Sequence, residues 1–126
     1  MEIKNLDHFV LTVANTESTC KFYETALGMK TIEFGSGRKA LKFGGQKINL
    51  HLSGNSPEPK AFKPMPGSAD FCFITETPIT EVVEELKQNC IEIEEGPINR
   101  TGANGPILSV YLRDPDMNLI EISNYL

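Results

Sequence analysis

The 126 residues contain only two histidines, His8 and His51. Each sits in a run that alternates apolar and polar side chains, as a half-buried strand does. Asp70 and Glu121 occupy similar runs. Flanked by Ile120 and Ile122, the Glu121 carboxylate is costly to bury without a partner. Either that strand face is solvated, or something cationic lies opposite. Taken singly, His8 and His51 read as hydrogen-bonded strand residues, and Asp70 as an acceptor for backbone amides near a strand end. Taken together, two imidazoles and two carboxylates make a donor set for a divalent metal. Neutral His and ionised carboxylate are borderline-to-hard donors that suit Zn, Ni, Mn, Fe(II) or Co. His8, His51 and Glu121 alone would form a two-His-one-carboxylate triad with open positions for water, substrate or oxygen. A metal so held can lower the pKa of its water or polarise a carbonyl. An adjacent carboxylate, Asp70 or Glu121, can then move a proton.

The elements that must position these residues follow from periodicity and punctuation. Residues 3–13 alternate His8, Val10 and Thr12 against Phe9, Leu11 and Val13, which predicts a strand. Asn15-Thr16 offers a helix N-cap, and Phe22, Tyr23, Ala26 and Leu27 form an apolar stripe ending at Gly28, a C-cap. Strands follow over 29–34, 38–43 and 46–52, broken by Gly35-Ser36-Gly37 and Gly44-Gly45. Pro57, Pro59, Pro64 and Pro66 make residues 54–66 a linker. The pattern then restarts. A strand is predicted over 69–75, and a helix capped by Thr77 with Pro78 in its first turn. Ile79, Val82, Val83 and Leu86 give that helix its stripe. Further strands are predicted at about 91–95, 107–113 and 117–123. Between the first two of these, Gly96 to Pro106 reads as a polar, glycine-rich loop.

This organisation is an internal duplication: an α+β chain of two tandem βαβββ modules, 3–53 and 67–124, joined by the linker. His8-Phe9-Val10-Leu11-Thr12 aligns with Asp70-Phe71-Cys72-Phe73-Ile74. Leu50-His51-Leu52-Ser53 aligns with Ile120-Glu121-Ile122-Ser123. Both histidines and both carboxylates thus fall at two pairs of matched positions, which lifts Glu121 out of its solvated reading. Other candidates are plainer. Cys72 reads as a small buried hydrophobe. Arg100 in its loop is either solvated or a clamp for a substrate carboxylate or phosphate. Arg113 is expected to pair with an aspartate of the Asp114-Pro115-Asp116 turn.

A net charge of −5 with no Lys/Arg cluster argues against nucleic acid. No stretch could span a membrane, and the first residues carry no apolar signal core. Three scattered cysteines, Cys20, Cys72 and Cys90, without C-x-x-C spacing, point to a reduced, cytoplasmic protein.

Several stretches together resemble the vicinal oxygen chelate superfamily of glyoxalase I, fosfomycin and bleomycin resistance proteins and extradiol dioxygenases. They are Leu6-Asp7-His8-Phe9-Val10-Leu11-Thr12-Val13, Phe22-Tyr23 through Leu27-Gly28-Met29, and Asp114-Pro115-Asp116-Met117-Asn118-Leu119-Ile120-Glu121. Ile48-Asn49-Leu50-His51, Ala69 to Thr75, and Glu95-Gly96-Pro97 through Arg100-Thr101-Gly102 to Arg113 look closer still to the glyoxalase-domain-containing-protein-5 and virulence-associated branch. The resemblance implies paired βαβββ modules whose sheets curl around a metal site, with ligands at the positions of His8, His51, Asp70 and Glu121. It implies a homodimer and a small substrate that chelates the metal through neighbouring oxygens. Lyase or isomerase chemistry of the glyoxalase kind comes first, Fe(II) ring-cleaving dioxygenase second, and metal-free sequestration third. Three positions depart from family patterns. Asp70 stands where glyoxalase I has His or Gln and fosfomycin resistance proteins have His. His51 stands where glyoxalase I has Glu, and Met117 where the turn usually has Gly.

Overall fold

A computed structural model describes all 126 residues. They form two compact units, Met1–Gly67 and Ser68–Leu126. Each unit is a four-stranded mixed sheet with one helix.

In the first unit, β1 (His8–Val13), α1 (Thr16–Leu27), β2 (Lys30–Phe34), β3 (Arg38–Phe43) and β4 (Gln46–Leu52) follow in order. The sheet order is β1-β4-β3-β2, with β1 parallel to β4 and the other pairs antiparallel. The first strand begins at His8, five residues later than expected: residues 1–7 are exposed, and the Leu6 and Asp7 carbonyls accept from the Gln46 side chain and the Lys47 amide without extending the ladder. Helix α1 starts as its sequence predicts: the Asn15 side chain accepts a hydrogen bond from the Ser18 amide at 2.9 Å. It ends at Gly28, whose φ of 63° lets the Gly28 and Met29 amides close back on the Glu24 and Tyr23 carbonyls. Tyr23 on this helix is fully buried with Leu11, Val13, Leu41 and Ile48.

The second unit repeats the plan: β5 (Asp70–Ile74), α2 (Ile79–Gln88), β6 (Glu95–Gly102), β7 (Gly105–Arg113) and β8 (Leu119–Tyr125). Its order, β5-β8-β7-β6, again places one parallel pair beside two antiparallel ones. This is the duplication in three dimensions. Ile79, Val82 and Leu86 of α2 are buried, as are Val110, Leu112, Ile120 and Ile122 of the sheet.

Two elements differ from expectation. Residues 91–94 are not strand, and β6 instead runs through the segment expected to be a loop. A bulge between Glu95 and Ile98 absorbs Gly96-Pro97. Gly96 is required there: its φ is 111°, and a Cβ would run into the Ser109 carbonyl oxygen. Its glycine and proline thus hide an antiparallel strand. The second difference is the start of α2. Thr77 does not cap it. Pro78 stands at that position without a side-chain bond, and Asn124 of β8 supplies the cap, accepting from the Ile79 amide at 2.7 Å. The same Asn124 side chain donates to the Thr75 and Thr77 carbonyls, strapping the β5–α2 connection to β8.

The turn before β8 is built on Asp114, only 3% exposed. Its carboxylate accepts from the Asp116 and Asn118 amides and from the Asn118 side chain. Met117 occupies the left-handed region with φ of 68° and an exposed side chain. An L-residue with a Cβ is strained there, while glycine is not. Met117→Gly is therefore expected to stabilise the protein by roughly 0.5–1 kcal/mol, after allowing for the greater unfolded-state freedom of glycine. The urea midpoint of the two proteins checks this, and a lower midpoint for the variant would show that the strain is absent.

Candidate functional site

In each unit the candidate residues lie on the sheet face opposite its buried core, and the strand registers arrange them in rows. In the first unit, one row is His8, Lys47, Lys42 and Lys30. The next is Val10, Asn49, Ala40 and Ile32. In the third, Thr12 stands opposite His51, and Phe34 opposite Arg38. Because Lys39 faces Leu50, the same register carries Arg38 to the His51 side of the row.

His8 is oriented by its neighbour. Its Nδ1 lies 2.7 Å from the Asp7 carboxylate. That bond, helped by Lys47 and Lys42, holds the Asp7 carboxyl below the usual range. A carboxylate on Nδ1 fixes the imidazole tautomer and leaves Nε2 as a donor atom. His51 is half-buried, and its Nε2 is buried without a hydrogen-bond partner. Burial lowers its pKa, and the nearby Arg38 charge lowers it further, so the ring is neutral at physiological pH. Asn49, 5% exposed, also has an unpartnered buried Oδ1.

In the second unit the first row is Asp70, Leu119 and Arg113. The second is Cys72, Glu121, Tyr111 and Glu95, crossing all four strands. The third is Ile74, Ser123, Ser109 and Ile98. Glu121 Oε1 is buried without a partner. Arg100, on β6 rather than in a loop, donates from Nε to the Tyr111 hydroxyl at 3.1 Å. It also reaches the Asn99 carbonyl and Glu95 at 3.4 Å. Its guanidinium is thus engaged within the sheet. Burial keeps the Tyr111 hydroxyl above the ordinary phenol range; Arg100 opposes this and the Glu121 carboxylate adds to it. Tyr111 therefore holds its proton beside Glu121.

Two smaller expectations are corrected. Cys72 is exposed rather than a core residue, with Sγ 3.3 Å from Ser123 Oγ. Partial shielding of the sulfur raises its pKa, against the Ser123 bond and with the Glu121 charge adding. Arg113 pairs with Glu94, both contacts at 3.1 Å, and not with a turn aspartate.

The registers also correct the matching of the modules. With His8 equivalent to Asp70, the residue equivalent to Glu121 is Asn49, and His51 matches Ser123. Leu50-His51-Leu52-Ser53 mimics Ile120-Glu121-Ile122-Ser123 because a period of two survives a slip of two residues. Asn49 carried no such signal in the sequence, though it shares an unpartnered side-chain oxygen with Glu121. The slip has a chemical consequence. Thr12, opposite His51, is four residues beyond His8. At about 3.3 Å per residue this offsets His8 from His51 by about 13 Å along the strands. Two imidazoles holding one ion at bonds of about 2 Å would have to lean toward each other along that offset rather than stand side by side. Asp70 and Glu121 are offset by one row only. No group of three or more His, Cys, Asp or Glu side chains comes together as a ligand set.

The donors present nonetheless suit a divalent cation. A carboxylate oxygen left unpaired in a buried position is stabilised by a positive partner, and an imidazole locked through Nδ1 presents the nitrogen such an ion takes. Comparison with known proteins gives the chain its relatives. It is 57% identical to Virulence protein STM3117 of Salmonella typhimurium over 126 residues, all of this chain and 88% of that protein. It is 52% identical over 125 residues to the Glyoxalase domain-containing protein RDO1 of Mycosarcoma maydis, 99% of this chain and 70% of that protein. The crystal structure of the Salmonella protein superposes with a TM-score of 0.99 over the full length of both chains. A lactoylglutathione lyase from Agrobacterium tumefaciens, at 23% identity and covering 98% of this chain and 96% of its own, shares the fold with a TM-score of 0.75. The model of the Glyoxalase/Bleomycin resistance protein/Dioxygenase superfamily matches residues 5–122. With that match, these relatives and the repeated βαβββ plan, the chain belongs to the glyoxalase/bleomycin resistance protein/dioxygenase superfamily.

Proposed function

We propose that the protein is a divalent-metal-dependent lyase or isomerase of the glyoxalase kind, acting on a small substrate that chelates the metal through neighbouring oxygens. The observation that carries this reading is the unpaired, buried Oε1 of Glu121. The strand ladder uses only the backbone of Glu121, and this one carboxylate oxygen is left without a hydrogen-bond partner. Glu121 and His8 are the donors in this proposal, and Asp70, exposed and one row away from Glu121, is either a further donor or the general base. His51 faces the substrate rather than the ion. A bound divalent ion supplies Lewis acidity toward a chelating carbonyl or hydroxyl oxygen.

The chain's own residues do the rest. Asp7 holds the His8 ring. Arg100 occupies the Tyr111 oxygen as a donor, so the phenol proton is left to serve Glu121 or a substrate oxygen. With His51 turned to the substrate, the proposal does not use the two-His-one-carboxylate set on which the dioxygenase alternative depends. The proposal includes a homodimer and a cytoplasmic setting; no helix is long and apolar enough to cross a membrane.

Elemental analysis of tag-free protein reconstituted with Fe(II), Mn, Co, Ni and Zn tests it, with wild type beside His8→Ala. Stoichiometric metal in the wild type, with affinity reduced by about 100-fold or more in the variant, is expected for loss of a direct ligand. No metal in either protein would remove the reading and leave small-molecule sequestration in its place.

A further inference from the structure

The first sheet is electrostatically one-sided. Its four strands contain a single carboxylate, Glu33, which pairs in register with Lys39 on the core side. The opposite, open face carries Lys30, Lys42, Lys47 and Arg38. None of these four cations makes an ion pair. A concentration of unpaired positive charge is unexpected in a chain of net charge −5. Arg38 and Lys47 share the Phe34 ring, with Cζ at 4.7 Å and Nζ at 4.0 Å from its centroid. The ring tolerates both cations without neutralising either.

At the Arg38 end of the sheet, reaching round to its helix side, a cleft of about 500 Å³ is lined by Arg38, Lys39, Leu50, His51 and Ser56 among others. Two polar atoms of its lining residues, His51 Nε2 and Ser56 Oγ, are buried and have no partner. Unsatisfied buried polar atoms of a native fold call for an explanation, and here they stand close to the Arg38 guanidinium, which makes no ion pair. The arrangement suits an anion. Arg38 offers a planar fork of donors, Ser56 a rotatable hydroxyl, and His51 a ring nitrogen.

We infer that the cleft formed by Arg38, His51 and Ser56, flanked by Lys47, binds the anionic oxygens of the substrate, a carboxylate or a phosphate group. The inference rests on the reading of the chain as an enzyme for a small oxygen-rich molecule and narrows that molecule to one bearing a negative group. The open lysine face draws such a molecule in from solution, and the cleft fixes its charged end. Arg38 then does what Arg100, engaged with Tyr111 and Glu95, is not free to do.

Titration of the metal-free protein with inorganic phosphate and separately with acetate, at constant ionic strength set by chloride, tests this. The readout is the NMR shift of the Arg38 side-chain N–H and the His51 ring. Metal loading is measured on the same preparation by elemental analysis, so failure of one reading is distinct from failure of the other. Saturable binding is expected, weakened about tenfold in Arg38→Gln and restored in part by Arg38→Lys. The exposed helix substitution Lys21→Gln should leave it unchanged. Saturation by phosphate assigns the cleft to a phosphate group, and saturation by acetate alone assigns it to a carboxylate. Either supports the site. No saturation with either anion, or equal affinity in folded Arg38→Gln, overturns it.

Discussion

Asn118→Ala is expected to lower folding stability by about 3 kcal/mol. Asn118 is fully buried. Its Nδ2 donates to the Asp114 carboxylate at 2.8 Å, and its Oδ1 accepts from the Ala69 amide at 2.9 Å. Truncation leaves two orphans. The Ala69 N–H loses its acceptor at the entrance to β5, and a buried carboxylate loses one of its donors. Each unsatisfied group costs about 1–3 kcal/mol, more where a charge is involved. The side chain also joins two chain segments, because Asn118 precedes β8 while Ala69 precedes β5. Its loss therefore loosens the parallel pair that carries Glu121 and Asp70. The urea midpoint at unchanged m-value measures the effect. A loss below about 1 kcal/mol would mean that water replaces the asparagine in both bonds.

The same turn shows how much was legible in the chain. Asp114-Pro115-Asp116 marks a turn, and the resemblance puts Met117 where the family's turn usually has Gly; its φ of 68° is the left-handed conformation that glycine favours. Both helices and the strands over 38–43 and 46–52 followed from periodicity, because their apolar faces and breaking residues are local signals. What escaped was non-local. Strand β6 was hidden because a bulge lets Gly96 and Pro97 sit inside a ladder, and only the partner strand reveals the bulge. The cap of α2 was assigned to Thr77 because capping is normally sequential, whereas Asn124 comes from β8. The candidate residues were legible as types, but the strand register that sorts them was not. A strand pattern repeats every two residues, so sequence alignment of the modules could not distinguish His51 from Asn49 as the partner of Glu121. One ladder, with Val10 opposite Asn49, settles that point.

The two open faces divide the chemistry unequally. The first unit collects cations around Arg38 and one oriented imidazole at His8. The second collects a carboxylate, a protonated phenol and an engaged arginine in the row through Glu121. The two units thus share one scaffold while the residues at equivalent positions differ: His8 against Asp70, Asn49 against Glu121, His51 against Ser123. Such divergence is what a fold permits when stability resides in the helix-facing side of each sheet and the other side is left to function.

Glu121→Gln separates a functional carboxylate from a structural one, because its two expected effects have opposite signs. In the metal-free protein the unpaired Oε1 is a burden: a buried acceptor without a donor costs free energy. Glutamine keeps the shape and removes the charge, so the metal-free variant is expected to gain about 1 kcal/mol over the wild type. Divalent-metal affinity is expected to fall by about 100-fold or more, since a neutral amide oxygen replaces an anionic donor. Adding metal should therefore reverse the order of stability. Wild type gains about 2.7 kcal/mol at a free metal concentration 100 times its dissociation constant, while the variant gains little at that concentration. Urea denaturation with chelator and with metal reads both effects on the same pair of proteins. A variant less stable than wild type in chelator, with no metal-dependent reversal, would make Glu121 a structural residue and remove the central donor from the proposed metal site.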